Sequence, residues 1–251
     1  MSPRKKLAAG NWKMNGLAAA LDEVSQLIKA HPEPGCEILL CPPATLLSRL
    51  SERAAASAIA TGGQDCHAEI AGAHTGDVSA EMLIDAGASH VIVGHSERRG
   101  DHGETDEAVR AKASAAMAAG LSPVICCGET LAQREAGQTL DVIAAQLQAS
   151  VPDDAGGALV VAYEPVWAIG SGKIAGPAEI TEVHNFIRAR LSARFGHDVA
   201  QAVRLLYGGS VKADNARAIF SLPDVDGALV GGASLRAADF SPIISALEAS
   251  V

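Results

Sequence analysis

The 251-residue chain has few aromatic residues, few cysteines and fewer basic than acidic side chains. Aromatic residues make up 3% of it, so small and branched apolar side chains must fill the core that a 48% hydrophobic content allows. Five cysteines, an odd number, do not form a disulfide framework and predict a reduced, cytoplasmic protein. A formal net charge of −9 argues against nucleic acid as the main partner.

Long apolar runs are also missing. No stretch approaches the roughly 18 apolar residues that a membrane span needs. The basic residues Arg4, Lys5 and Lys6 precede an apolar run that is too short for a signal peptide and ends in the charge of Lys13. We therefore expect a soluble protein with no membrane partner.

Short apolar runs alternate with helical patterns along the whole chain. The predicted strands are Lys6–Gly10, Glu37–Cys41, Ala58–Gly62, His90–Gly94, Ser122–Cys126, Leu159–Tyr163, Arg204–Tyr207 and Gly227–Val230. The clearest helical patterns are Ala18–Ala30, Thr105–Ala119, Leu140–Ala149, Pro177–Arg194 and Asn215–Phe220. Eight such units without a linker predict an α/β fold, a single-domain (β/α)₈ barrel over residues 1–251. A doubly wound open sheet is the alternative, but no Gly-x-Gly-x-x-Gly follows the first strand.

In such barrels the active site lies at the carboxyl ends of the strands. The polar residues and glycines found there are Asn11, Lys13, His95, Ser96, Glu97, Glu129, Glu164, Ser210, Gly231 and Gly232. Glu164 ends an apolar strand, where burial is expected to raise the pKa of its carboxyl towards that of a useful base. The stiff Pro165–Trp167 and the glycines 170 and 172 follow it, which is the order of a base, a hinge and a lid.

Two further side chains suit the same chemistry. His95 ends a strand and opens a short helix, whose N–H groups favour a neutral imidazole. Lys13 follows the first strand and could stabilise negative charge that develops in a reaction. Lys29, Lys112 and Lys212 are expected to be solvated surface charges. The glycine-rich strand ends at 170–172, 207–210 and 230–233 could bind a phosphate through bare N–H groups.

The sequence does not predict a metal site, because the carboxylates and histidines lack ligand spacing and Cys126–Cys127 is not a zinc pair. A lone histidine is usually structural. We therefore expect structural roles for the histidines His31, His67, His90, His102, His184 and His197.

Five segments together are similar to the triosephosphate isomerase family. They are residues 10–15 (GNWKMN), 91–99 (VIVGHSERR), 162–170 (AYEPVWAIG), 207–211 (YGGSV) and 227–235 (GALVGGASL), in the family's order. The resemblance spans residues 4–250. It implies a TIM barrel and the interconversion of dihydroxyacetone phosphate and D-glyceraldehyde 3-phosphate through an enediolate, without a cofactor, in glycolysis and gluconeogenesis.

The resemblance also implies roles for individual residues. Glu164 matches the base that moves the proton, and His95 matches the neutral electrophile that polarises the substrate carbonyl. Lys13 matches the cation at the substrate oxygen. Asn11 matches a polar neighbour of that cation, and Glu97 matches a supporting acid. Gly170, Ser210, Gly231 and Gly232 match backbone phosphate donors. The mobile lid corresponds to Val166, Trp167, Ala168, Ile169, Gly170, Ser171, Gly172, Lys173, Ile174 and Ala175. Ser96 matches the group that holds Glu164 in the open state, and Glu129, Tyr163 and Tyr207 match latch partners.

The family is homodimeric, so the resemblance implies a homodimer as well. Its contact loop would be residues 65–76, with His74, Thr75 and Gly76 at the tip, Arg98 beside it, and Thr75 near the partner subunit's Asn11. The chain departs from the family's usual residues at Ser171, Gly176, Cys127 and His74.

Two other functions fit a phosphate-binding barrel. A Schiff-base aldolase or a lyase is one, but a Schiff-base aldolase needs a lysine within a strand, and Lys13 follows its strand. A catalytically silent barrel that acts by binding is the other, but the chain retains Glu164, His95 and Lys13.

Overall fold

The computed structural model describes residues 4–169 and 174–250. In these residues eight parallel strands pair in chain order, and the first pairs with the last to close a barrel. The strands are β1 (Leu7–Asn11), β2 (Glu37–Cys41), β3 (Ile59–Gly63), β4 (His90–Val93), β5 (Ser122–Cys127), β6 (Val160–Tyr163), β7 (Arg204–Tyr207) and β8 (Gly227–Val230). The predicted (β/α)₈ barrel is confirmed, with every strand end within one residue of its predicted position.

Helices surround the barrel. They are α1 (Leu21–Ala30), α2 (Ala44–Ala54), α3 (Ala80–Asp85), α4 (Ser96–Asp101), α5 (Asp106–Ala119), α6 (Leu131–Glu135), α7 (Thr139–Ser150), α8 (Pro177–Phe195), α9 (His197–Ala202), α10 (Ala216–Phe220) and α11 (Ala237–Glu248). The pattern predicted as one helix from Ala18 begins with a 3₁₀ turn, Ala18–Ala20, before α1. No helix in the described residues is long and apolar enough to cross a membrane.

Alternate strand residues supply two separate apolar cores. In β6, Val160 and Ala162 belong to the core inside the barrel, whereas Val161 and Tyr163 pack in the layer between strands and helices. The inner core uses small side chains such as Ala9 as well as branched ones. The scarcity of aromatic residues therefore agrees with the barrel, because its interior admits mainly small and branched side chains.

His184 of α8 is fully buried in the outer layer. Its Nδ1 lies 2.9 Å from the carbonyl oxygen of Asp224, so Nδ1 carries the proton and donates it. The Nε2 atom is buried without a hydrogen-bond partner among the described residues. Burial accordingly lowers the pKa of His184 to about 4, because a proton on Nε2 would have no acceptor.

This lowered pKa predicts a loss of stability in acid. Below a pH of ~6.5 the unfolded chain takes up a proton that the folded chain refuses until about pH 4, so the free energy of unfolding falls as the pH drops between these values. The loss reaches about 3 kcal/mol for this one group. Urea unfolding between pH 4 and 7 should give a shallower pH dependence for His184→Asn, which keeps a donor near Asp224. Equal slopes in both proteins would contradict the assignment.

Candidate active site

A cavity of about 490 Å³ opens at the carboxyl ends of the strands. It is lined by Asn11, Lys13, Asn15, His95, Glu97, Glu164, Ala168, Ile169, Gly208, Gly209, Ser210, Val211, Lys212, Leu229, Val230, Gly231, Gly232 and Ala233. The structure thus brings together most of the residues that strand-end position selected. Their meeting follows from the barrel, in which all eight strands point the same way.

Glu164 lies directly after β6, and its side chain contacts the start of α4. Its carboxylate accepts the Ser96 N–H at 3.0 Å and the Ser96 hydroxyl at 3.3 Å. The Nε2 atom of His95 lies 2.8 Å from Glu164 Oε1. Both residues are buried: Glu164 is 2% exposed and His95 is 5% exposed. The carboxylate is therefore held against the imidazole by directional contacts.

The pKa of Glu164 is lowered, contrary to the expectation from burial alone. Burial raises this pKa, but the contact with His95, the Ser96 N–H and the Cys126 thiol together lower it further than burial raises it. The sequence predicted the burial correctly but could not show these donors, which come from the segment after β4 and from β5. The carboxylate is ionised in this arrangement.

The proton positions on His95 follow from its neighbours. The Glu97 N–H donates to Nδ1 at 3.3 Å, so Nδ1 is unprotonated and Nε2 holds the proton that faces Glu164. Burial lowers the pKa of His95, whereas the charge of Glu164 and its hydrogen bond raise it, with a net rise while the two are in contact. The Glu97 N–H opposes a second proton on Nδ1 and Lys13 lowers the pKa of the ring, whereas the Glu97 carboxylate, 3.6 Å from Nδ1, raises it.

Lys13 reaches the same cavity from the loop after β1. Its Nζ lies 2.5 Å from Glu97 Oε1. Its backbone is left-handed, with a φ of 54°, and the Asn11 side chain accepts its N–H at 3.0 Å. Such a backbone costs about 1 kcal/mol in a non-glycine residue and is concentrated at functional sites. Gln64, after β3, donates to the Lys13 carbonyl at 2.9 Å and so fixes this turn from the other side.

Residues with bare backbone N–H groups line the same cavity. The N–H groups of Ser210, Gly231 and Gly232 make no hydrogen bond to another described residue. A Cβ on Gly232 would meet nothing within 4 Å, and one on Gly231 would lie 3.5 Å from the Lys13 side chain. These N–H groups and the Lys13 cation could together bind an anion such as a phosphate.

Two glycines allow the backbone to approach Glu164 closely. A Cβ on Gly128 would lie 1.7 Å from the Glu164 carbonyl oxygen, and one on Gly208 would lie 2.8 Å from its Cγ. Neither clash could be relieved without moving the strand ends that position the carboxylate. Both glycines therefore shape the site; Gly208 lies in the glycine-rich strand end 207–210 that the sequence predicted, whereas the sequence analysis did not select Gly128.

The predicted lid and latch lie partly within the described residues. Gly170, Ser171, Gly172 and Lys173 fall outside them. Before this gap, Val166, Trp167 and Ala168 form a 3₁₀ turn that Ile169 ends. After it, Ile174 is exposed, Ala175 is buried, and the N–H of Gly176 donates to Glu179 at 2.6 Å.

The latch residues meet beneath the 3₁₀ turn. Glu129 is fully buried and accepts the Trp167 indole N–H at 2.8 Å and the Tyr163 hydroxyl at 3.1 Å. The guanidinium of Arg134, which sequence reasoning missed, lies 5.0 Å from the centre of the Trp167 ring. The buried Tyr207 hydroxyl has no hydrogen-bond partner among the described residues. Burial raises its pKa to about 12, and the Ala175 backbone acts in the opposite direction.

The predicted dimer loop follows β3. Arg98 binds Asp65 at 2.9 Å and Glu104 at 2.6 Å, so it anchors the base of this loop within the chain. The prediction of a solvated Lys112 was wrong, because Lys112 contacts the same two carboxylates at 2.8 and 2.5 Å. At the tip, Asp77 donates its N–H to the His74 carbonyl across Thr75 and Gly76. Gly76 has a φ of 97°, which this turn requires.

Fold and site together define a class of protein: a (β/α)₈-barrel enzyme whose cavity brings together a carboxylate–imidazole pair, a cation and bare backbone N–H groups. The family model for triosephosphate isomerase matches residues 6–247. The chain is 64% identical over 246 residues to triosephosphate isomerase of Ruegeria pomeroyi, with 98% of each protein covered. It is 61% identical over 245 residues to that of Dinoroseobacter shibae, covering 97% of this chain and 99% of the relative.

A solved structure agrees. The crystal structure of triosephosphate isomerase from Bartonella henselae superimposes with a TM-score of 0.91 at 47% identity, covering 96% of this chain and 98% of the other. The chain belongs to the triosephosphate isomerase family. Enzymes of this family are isomerases that interconvert dihydroxyacetone phosphate and glyceraldehyde 3-phosphate.

Proposed function

We propose that Glu164 is the base of this isomerisation and His95 its electrophile. The observation that carries the proposal is their 2.8 Å contact, with both side chains buried at the mouth of the cavity that Lys13 also lines. Glu164 takes a proton from the carbon next to the substrate carbonyl, which leaves an enediolate. It then returns the proton to the neighbouring carbon. A general base of this kind contributes about 10²–10⁴-fold to a rate.

In this proposal His95 transfers protons to and from the substrate oxygen atoms. In the structure its Nε2–H faces Glu164. Once the Glu164 carboxylate has moved to the substrate carbon, this N–H donates a hydrogen bond to the substrate oxygen. The Glu97 N–H on Nδ1 supports the neutral ring that this step needs. Asn11 and Glu97 orient Lys13, and Lys13 stabilises the negative charge that develops on the enediolate oxygen. Ser96 holds the carboxylate at His95 while the cavity has no substrate.

Phosphate binding and lid closure complete the proposal. The substrate phosphate is bound by the N–H groups of Ser210, Gly231 and Gly232, to which the lid adds that of Gly170. Closure of residues 166–175 excludes water and protects the enediolate from losing its phosphate. The hydrogen bonds that Glu129 accepts from Trp167 and Tyr163 stabilise the position that the 3₁₀ turn Val166–Ala168, at the start of the lid, has in this structure. Tyr207, whose buried hydroxyl lies near the Ala175 backbone and has no partner within hydrogen-bonding distance among the described residues, is the partner for the other position.

A coupled assay tests this function. Purified protein, treated with a chelator and given no cofactor, should convert glyceraldehyde 3-phosphate to dihydroxyacetone phosphate. The reverse reaction should proceed as well. Absence of turnover in the wild-type protein would overturn the proposal.

We also propose that the chain is a homodimer that works in the cytoplasm. Large apolar side chains are exposed on the loops and the helix that follow β1 and β3: Met14 at 96%, Leu17 at 82%, Ile70 at 66% and Met82 at 54%. Several large apolar side chains exposed on neighbouring strand connections support an interface there. In the dimer, Thr75 would lie near the partner subunit's Asn11. The five free, buried cysteines support a reducing compartment.

Sedimentation of the wild-type protein should give twice the chain mass of 25.6 kDa. The variant Met14→Asp should raise the dimer dissociation constant at least about tenfold. A two-fold symmetric interface contains the substituted residue twice, once from each subunit. Leu131→Asp, at a 37% exposed residue of α6, is the matched control and should leave the mass unchanged. A monomeric wild type would refute the dimer.

A further inference from the structure

The loop between β7 and α10 lines the cavity with residues 208–212, and an asparagine that does not line the cavity holds this loop in place. The Asn215 side chain donates from Nδ2 to the Ser210 carbonyl at 3.1 Å. Its Oδ1 accepts the Lys212 N–H at 2.8 Å. We infer that Asn215 is a positioning residue that fixes the phosphate-binding backbone at Ser210. This inference rests on the proposed function, which assigns the substrate phosphate to the Ser210 N–H.

The two hydrogen bonds restrain both peptide groups that flank Val211. One peptide group carries the Ser210 carbonyl and the other carries the Lys212 N–H, so a single side-chain amide holds the backbone of Val211 between them. A residue of a neighbouring parallel strand bonds to its partner strand in the same way. The Asn215 amide therefore continues the pairing of β7 beyond Tyr207, its last paired residue. The Val211 side chain is buried in the outer core and fixes the same residue from the other side.

Two glycines make this loop dependent on such a restraint. Gly208 and Gly209 connect β7 to Ser210, and glycine loses more backbone freedom on ordering than any other residue. The N–H groups of Gly209, Ser210 and Val211 make no hydrogen bond to another described residue, so they do not order the loop themselves. Free N–H groups bind an anion well when they are already ordered, because binding then has no ordering to perform. Asn215 supplies that order from outside the cavity.

Helix capping, the usual role of an asparagine at this position, does not account for the Asn215 side chain. Asn215 is the N-cap residue of α10, but its side chain makes no capping hydrogen bond to that helix. Its backbone has a φ of −109° and a ψ of −13°, whereas a capping residue is normally extended. The buried side chains of Ala216, Ile219 and Phe220 hold α10 against the barrel. The helix is thus a fixed support from which Asn215 reaches back to the loop.

Steady-state kinetics of the full chain tests this role, with inorganic phosphate as the inhibitor. In Asn215→Ala both hydrogen bonds are lost, and a backbone residue must be ordered again on binding. The KM and the inhibition constant of phosphate should therefore rise together by about tenfold. The kcat should change only a few-fold, because Glu164 and His95 keep their contacts. Asn215→Ser keeps a good capping residue but lacks the donor to Ser210, so both constants should rise in this variant as well.

Ser221→Ala is the matched control. It removes a neutral side-chain hydrogen bond to the Ala218 carbonyl at the opposite end of α10, and it should leave both constants unchanged. The inference would be overturned by an unchanged phosphate constant in Asn215→Ala, or by an equal rise in Ser221→Ala. Wild-type constants in Asn215→Ser would also overturn it, because Asn215 would then act as a helix cap.

Hydrogen exchange and NMR give readouts that do not need turnover. The Lys212 N–H should exchange with solvent faster in Asn215→Ala than in the wild type, while the amides of β7 keep their rates. Titration with inorganic phosphate, followed through the amide shifts of Ser210 and Gly232, should show the same loss of affinity as the inhibition constant. Phosphate binding without turnover in the wild type would overturn the proposed function. Equal Lys212 exchange, or equal phosphate affinity, in the wild type and Asn215→Ala would overturn this inference.

Discussion

Shortening Glu164 by one methylene should nearly abolish turnover while the protein stays folded. In Glu164→Asp the carboxylate withdraws by about 1.5 Å, the length of one carbon–carbon bond. It remains a base, but it no longer spans the distance from the end of β6 to the substrate carbon. A misplacement of this size costs about 10²-fold or more in kcat. The KM should change only a few-fold, because Lys13 and the N–H groups of Ser210, Gly231 and Gly232 still bind the phosphate.

Steady-state kinetics in both directions measures this effect. Uptake of deuterium from solvent at the substrate carbon reports the proton transfer itself. Glu164→Gln is the companion variant: it keeps the length but removes the basicity, so it should be no more active than Glu164→Asp. If kcat of Glu164→Asp stays within a few-fold of the wild type, Glu164 is not the base.

The sequence predicts the barrel because its strands carry a strong local signal. Each strand is a short apolar run, and both faces of the barrel wall are buried, so neither side of a strand needs polar residues. Strand-end position then selects Asn11, Lys13, His95 and Glu164, because the closed barrel brings the ends of all strands to one face. This much follows from the pattern along the chain.

The remaining features depend on contacts between distant segments. The lowered pKa of Glu164 comes from His95 and Ser96, which follow β4, and from Cys126 on β5, and no local pattern reveals these contacts. Lys112 is spaced like a solvated helix residue, but the fold places it against Asp65 and Glu104. Gln64 does carry a usable signal, since it directly follows β3 just as Lys13 closely follows β1. The same rule of strand-end position would have selected it.

Removing the charge of Lys13 should have an effect comparable to that of changing Glu164, by a different physical route. In Lys13→Met the chain keeps an unbranched apolar side chain of similar length, but the cavity loses the cation that faces the developing enediolate. Removing one such electrostatic contact costs about 10²–10³-fold in kcat. The fold should be little affected. The Glu97 side chain is 48% exposed and can be hydrated when its partner is lost, and partly exposed ion pairs contribute little stability.

The matched control is Lys212→Met, which removes another cation that lines the same cavity but belongs to an exposed residue. It should change kcat and KM only a few-fold. The inhibition constant of inorganic phosphate adds a second readout. In Lys13→Met it should rise together with KM, since Lys13 lies beside Gly231 and attracts the anion as well as the enediolate. Lys13 acts mainly in the transition state if kcat falls by a larger factor than the affinity for phosphate does. Equal kinetic losses in the two lysine variants would instead mean that only the net charge of the cavity matters, and would contradict a specific role for Lys13.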